Sequence, residues 1–194
     1  MSIVDELQVI YGRRGAEAYF GECVSVTEHG LQCAHFASKA GAPPALIIAA
    51  LLHDVGHLIE PAPDQISDWT TDARHELCGA RWLSTRFGPT VSEPVRLHVA
   101  AKRYLCAIDA GYAAFLSPAS VRTLQLQGGV MSGAELAAFE AEPHHREAVR
   151  LRRWDDGAKV AGLSTPDFRH YAPLLERLGS GSSAEIGIRA DIVI

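Results

Sequence analysis

The sequence predicts an all-α protein, a bundle of helices packed around a buried polar centre, and three observations carry that reading. No segment alternates β-branched and polar residues as a half-buried strand would. Helix start and stop signals recur along the whole chain, with Ser-Pro and Thr-Pro starts, a Ser-x-x-Glu capping box and glycine stops. The run Ala45 to Leu58, ALIIAALLHDVGHL, is almost continuously apolar until it reaches His53 and Asp54. A helix this apolar belongs in the core, and burying His with Asp there is costly unless something pairs with both. A metal ion is the partner that satisfies both.

Composition allows such a core. The chain has 194 residues, of which 47% are hydrophobic and 21% charged. That suits one globular domain, expected over 1–179, followed by a tail over 180–194 that is extended or disordered. The net charge of -5 and the lack of a basic cluster exclude a general nucleic-acid surface. No basic segment followed by an apolar one opens the chain, and Ala45–Leu52 is too short to span a bilayer. The expectation is a cytoplasmic protein without membrane or nucleic-acid partners. Cys23, Cys33, Cys78 and Cys106 form no C-x-x-C pair and are expected as buried reduced thiols. The sequence assigns no oligomeric state.

In order, Ser2 or Asp5 opens a short helix that stops near Gly12 or Gly15. A second helix is expected over Val26–Ala40, closed by Gly41. Pro43-Pro44 starts the organising helix, since proline is tolerated at the first helical position. Glu60 to Thr71, rich in Pro, Asp, Ser and Thr, reads as a loop of a length that is often functional. Helix resumes near Asp72 and runs to Gly88-Pro89. The next begins at Ser92 or Glu93 before Pro94 and puts His98 and Lys102 one turn apart on one face. Ser117-Pro118 opens a helix that ends at Gly128-Gly129, with Ser120 and Thr123 on one side. Ser132 to Glu135 caps another, which ends near Pro143. His144–Ala158 carries Arg152 and Asp155 three apart. Thr165-Pro166 opens the last helix, which Gly179 ends.

Six polar residues interrupt apolar faces on five expected helices: His29, His53, Asp54, His75, His98 and Asp155. Four imidazoles and two carboxylates make a mixed N/O set suited to iron, manganese, zinc or nickel. Asp54, with two oxygens, could bridge two ions, and His57 stands one turn after His53. His35, His144, His145 and His170 have charged or packing contexts and are left out.

The ordered pattern H…HD…H…H…D resembles the HD-domain superfamily in its two-metal form. Further stretches narrow the resemblance: Tyr19-Phe-Gly-Glu22, Glu28-His29-Gly-Leu-Gln32, His98-Val-Ala-Ala-Lys102-Arg-Tyr-Leu105, Gln127-Gly-Gly and Arg153-Trp-Asp155. With these, the chain is similar to the HD-domain mixed-valent diiron oxygenases of phosphonate degradation, from about Tyr19 to Lys159. The resemblance implies that His29, His53, Asp54 and Asp155 ligate one iron, and Asp54, His75 and His98 the other. The pair would be mixed-valent Fe(II)/Fe(III), with dioxygen as co-substrate. It also implies that His57, Lys102, Ser120, Thr123 and Arg152 contact a phosphonate. Tyr19 would gate one iron until substrate arrives, and Glu22 would meet the substrate's amino end.

The expected reaction is oxidative cleavage of the C–P bond in a 1-hydroxy-2-aminoethylphosphonate-type substrate. The trimethylammonio form, giving glycine betaine and phosphate, is favoured because Asp68 and Trp69 offer an acidic and an aromatic group for a quaternary ammonium. Two alternatives stand beside it: the unmethylated amine giving glycine, and a metal-dependent HD phosphohydrolase.

Overall fold

The computed structural model describes residues 1–16, 22–59 and 74–181. Among the described residues there are ten α-helices and no strands, as expected for an all-α bundle. Tyr19, Asp68, Trp69 and residues 182–194 lie outside the described residues.

Helix α1 (Ile3–Arg14) opens with a Ser2–Asp5 capping box, and α2 (Val26–Lys39) with a Ser25–Glu28 box, so each satisfies its first amides from its own sequence. Helix α3 (Pro44–Leu52) starts on Pro44 at its first position and buries Leu46, Ile48 and Ala49–Leu52. The apolar run is not one helix, however. α3 ends at His53, and a five-residue helix, α4 (Val55–Ile59), follows. In a continuous helix neighbouring side chains diverge by roughly 100°. Breaking it at the His-Asp pair lets both side chains face one centre, and the Asp54 carbonyl accepts from the His57 amide at 3.0 Å to restart the turn.

Helix α5 (His75–Ser84) begins at the ligand candidate itself, after Arg74 in a left-handed conformation (φ 48°). Helix α6 (Pro89–Ile108) is longer than expected, because Gly88-Pro89 starts it instead of ending its predecessor. Pro94 sits inside the helix and cannot donate to the Thr90 carbonyl. Thr90 is exposed, so water can take that bond. Helices α7 (Pro118–Leu126), α8 (Gly133–Glu140) and α9 (His145–Gly157) fall within a few residues of expectation. The last, α10 (Phe168–Gly181), starts past Thr165-Pro166 and runs two residues beyond the expected boundary at 179.

Helix α6 packs against α5 and α9, while α2 packs against α3 and α9. The main core joins Leu7, Cys33, Ile48, Leu52, Val55, Leu83, Val95, Leu151 and Leu175 from eight helices, with Phe87 from the link between α5 and α6. Two glycines permit close approach. A Cβ on Gly30 would lie 2.6 Å from the Leu51 carbonyl oxygen, and one on Gly56 would lie 2.0 Å from that of His75. The second contact seats α4 directly on α5 and brings His75 beside the His-Asp break. Cys33 is buried and reduced as expected, whereas Cys23 is exposed because it falls in the irregular stretch before α2.

Candidate metal centre

The six residues singled out from the sequence converge. His29 comes from α2, His53 and Asp54 from the break after α3, His75 from α5, His98 from α6 and Asp155 from α9; all are buried. The imidazoles form two facing pairs. Nε2 of His29 lies 3.2 Å from Nε2 of His53, and Nε2 of His75 lies 3.2 Å from Nε2 of His98.

Asp54 stands between the pairs and divides its carboxylate. Oδ2 lies 3.3 Å from His53 Nε2 and 3.7 Å from His29 Nε2, while Oδ1 lies 3.3 Å from His75 Nε2 and 3.7 Å from His98 Nε2. Asp155 closes the first pair only, with Oδ1 3.3 Å from His29 Nε2 and Oδ2 3.8 Å from His53 Nε2.

Backbone carbonyls fix the imidazole tautomers. Nδ1–H of His29 donates to Ala158 O at 2.8 Å, that of His53 to Ala50 O at 2.9 Å, and that of His98 to Val95 O at 2.7 Å. A neutral ring that donates from Nδ1 holds a lone pair at Nε2. In the His29–His53 pair, lone pairs therefore face one another at 3.2 Å with carboxylate oxygens alongside, which is unfavourable without a cation. Burial reinforces the neutral state: it pushes His53 down and His98 down to about 3. Burial would raise the Asp54 carboxyl, but His53 and His75 outweigh it and hold the group well below the usual carboxylate range. The donor set fits two cations sharing one carboxylate. Cys33 Sγ also lies within 4.8 Å of the His29 and His53 donor atoms. Burial holds its thiol protonated, so Asp155 is the better anionic donor for that pair.

A cavity of about 50 Å3 opens beside the second pair, lined by His57, Lys102, Ser120, Thr123, Arg152 and Asp155 among others. His57 stacks on His75 with ring centroids 3.9 Å apart. Lys102, one turn after His98, is 2% exposed; its Nζ donates to Thr123 Oγ1 at 2.8 Å and to Ser120 O at 3.4 Å. Burial, then Arg152, pushes this ammonium down to about 7. Arg152 Nη1 donates to Asp155 Oδ2 at 2.8 Å, and its remaining nitrogens serve Asp156 and Tyr112. Burial works against the guanidinium, but Asp155 and Asp156 raise it well above its ordinary value, so it stays charged. Its main structural work is to orient Asp155.

Glu22 also lines the cavity, where Ser117 Oγ donates to its Oε1 at 2.5 Å. Its other neighbour is a residue the sequence reading did not single out. Lys159 Nζ lies 3.2 Å from Glu22 Oε1 and 3.1 Å from Ser120 Oγ. The available signal was its place four residues after Asp155. That spacing lost force because α9 stops at Gly157. Tyr19, Asp68 and Trp69, also singled out from the sequence, lie outside the described residues.

Comparison with known proteins agrees with the geometry. A family model described as HD domain matches residues 26–156. Hydroxymethylphosphonate dioxygenase of Gimesia maris is 49% identical over 80% of this chain and 78% of its own length. The glycine-betaine-forming [1-hydroxy-2-(trimethylamino)ethyl]phosphonate dioxygenase of Leisingera caerulea is 42% identical over 91% of this chain and 90% of its own length. With the HD-domain match over residues 26–156 spanning all six converging residues, the chain belongs to the HD-domain family, among its phosphonate dioxygenases, enzymes that use a metal and dioxygen.

Proposed function

We propose that the protein cleaves the C–P bond of a 1-hydroxyphosphonate with dioxygen, using two iron ions held by the imidazole pairs. The observation that carries this reading is the Asp54 carboxylate, divided between two Nε2 pairs that each face a partner at 3.2 Å. His29, His53, Asp54 and Asp155 would hold one ion, and Asp54, His75 and His98 the other. When bound, the mixed-valent Fe(II)/Fe(III) pair supplies dioxygen binding and the redox chemistry.

The chain's own side chains bind and orient the substrate. Lys102 offers its ammonium to the phosphonate with the Thr123 hydroxyl beside it, and Ser120 lies in the first turn of α7, where the helix dipole favours an anion. His57, stacked on His75, faces the same cavity. Arg152 holds Asp155 in place and adds positive charge to the wall. Glu22 provides an acidic group for a cationic tail. Tyr19, three residues earlier in the sequence, would guard the iron before substrate binds. Such positioning and charge neutralisation are what the protein contributes to this chemistry.

The reaction balances as R–CH(OH)–PO3H2 + O2 → R–COOH + H3PO4: the C–P bond breaks, carbon is oxidised to carboxylate and dioxygen is fully reduced. The substrate proposed is the trimethylammonio form, giving glycine betaine and phosphate, on the strength of the relative that covers most of this chain. The test is purified protein with iron, reductant, air and this phosphonate. Dioxygen uptake equal to phosphate release supports the reading. Phosphate release under anaerobic conditions with zinc or manganese would overturn it in favour of hydrolysis.

A further inference from the structure

Three carboxylates line the described part of the cavity, and they differ in what they face. Asp54 and Asp155 look onto imidazoles. Glu22 alone among them faces away from the imidazole pairs, towards Ser117 and Lys159. It is therefore the carboxylate to which a cationic substrate tail could turn, yet an internal ammonium already stands 3.2 Å from its Oε1. Lys159 is little exposed, with 12% of its side chain accessible. It is also tied to the face of α7 that would carry the phosphonate, at 3.1 Å from Ser120 Oγ and 3.3 Å from Ser117 Oγ.

We infer that Lys159 is a specificity-determining residue: its ammonium competes with a cationic substrate tail for Glu22. The inference rests on the phosphonate-oxygenase reading and deepens it. A tail bearing positive charge must displace Lys159 from Glu22 or share one carboxylate with it. Two cations on one carboxylate repel, and the close pair is weakly screened because both members are largely buried. Lys159 has somewhere to go, since the Ser120 hydroxyl it already touches lies at the proposed phosphonate site. A substrate without a tail imposes no such displacement and leaves the Glu22–Lys159 pair intact as the end wall of the cavity. Lys159 thus sets the balance between substrates that carry a cation and substrates that do not.

The test compares kcat/KM for two phosphonates, hydroxymethylphosphonate and the trimethylammonio substrate, in the iron-loaded full chain. In Lys159→Met the ratio of trimethylammonio to hydroxymethyl turnover should rise about tenfold or more, as expected for removing one member of a close charge pair. Lys159→Arg keeps the cation and should keep the wild-type ratio. In a Glu22→Gln background, Lys159→Met should no longer move the ratio, a dependence that a general packing role for Lys159 would not produce. A ratio unchanged by Lys159→Met, or a shift that persists without the Glu22 charge, overturns the inference while leaving the oxygenase reading standing. Wild-type protein that oxidises neither phosphonate sinks both together.

Discussion

Asp54→Asn is the sharpest perturbation of the centre, because it changes charge and almost nothing of shape. In the native chain each carboxylate oxygen serves a different imidazole pair, at 3.3 Å from the nearer Nε2 on either side. An amide can present an oxygen to one pair only. Its NH2 group would then donate to the Nε2 lone pairs on the other side and occupy the space a cation needs. Removing one charged partner from a buried cluster costs about 3–5 kcal/mol, which corresponds to a loss of affinity of about a hundred- to several-thousand-fold at that half of the site. Metal analysis after gel filtration should show fewer ions per chain than in the native protein. Dioxygen uptake and phosphate release should fall below detection, while the helical circular dichroism stays unchanged. A variant that keeps the native metal content and turns over substrate at the native rate would refute the bridging role.

Other outcomes follow from the same geometry. Gly56→Ala places a methyl 2.0 Å from the His75 carbonyl oxygen; an overpacked contact of this kind costs about 1–3 kcal/mol, read as a lower melting temperature with weakened metal binding, and an unchanged melting curve would count against the seating of α4 on α5. Arg152→Lys loses the planar guanidinium that bridges Asp155 to Asp156 and Tyr112, and metal affinity should fall about 10–100-fold, measured by competition with a chelator. Lys102 is pushed down to about 7 and binds an anion only when charged, so phosphonate affinity should weaken as pH rises through neutrality; in calorimetry Lys102→Arg, charged throughout, should lose that dependence. His98 is held down to about 3 against an ordinary 6.5. Below 6.5 the unfolded chain therefore takes up a proton that the folded, metal-free chain refuses. Metal-free stability should therefore fall as the pH drops below that ordinary value, and denaturant melts in the presence of a chelator would detect it.

Much of this protein was determined by local chemistry that a sequence carries openly. The Ser2, Ser25 and Ser132 capping boxes, proline at the first position of α3 and α7, and the glycines after α2 and α7 act within a few residues of chain. Isolated histidines and aspartates on apolar helices announced a polar centre, because nothing else justifies the cost of burying them. What only the tertiary structure decided was how those groups face one another. The break between α3 and α4 arises because His53 and Asp54 must serve one centre, a demand that comes from α2, α5, α6 and α9 and not from the run ALIIAALLHDVGHL itself. Pro94 reads locally as a helix start, yet α6 continues through it at a point where Thr90, the residue one turn earlier, is exposed to water. Lys159 meets Glu22 across 137 positions of sequence, after its own helix has ended, and no periodicity reaches that far. Capping and helical spacing are short-range interactions, whereas the pairing of charges in a cavity is settled by packing of distant segments.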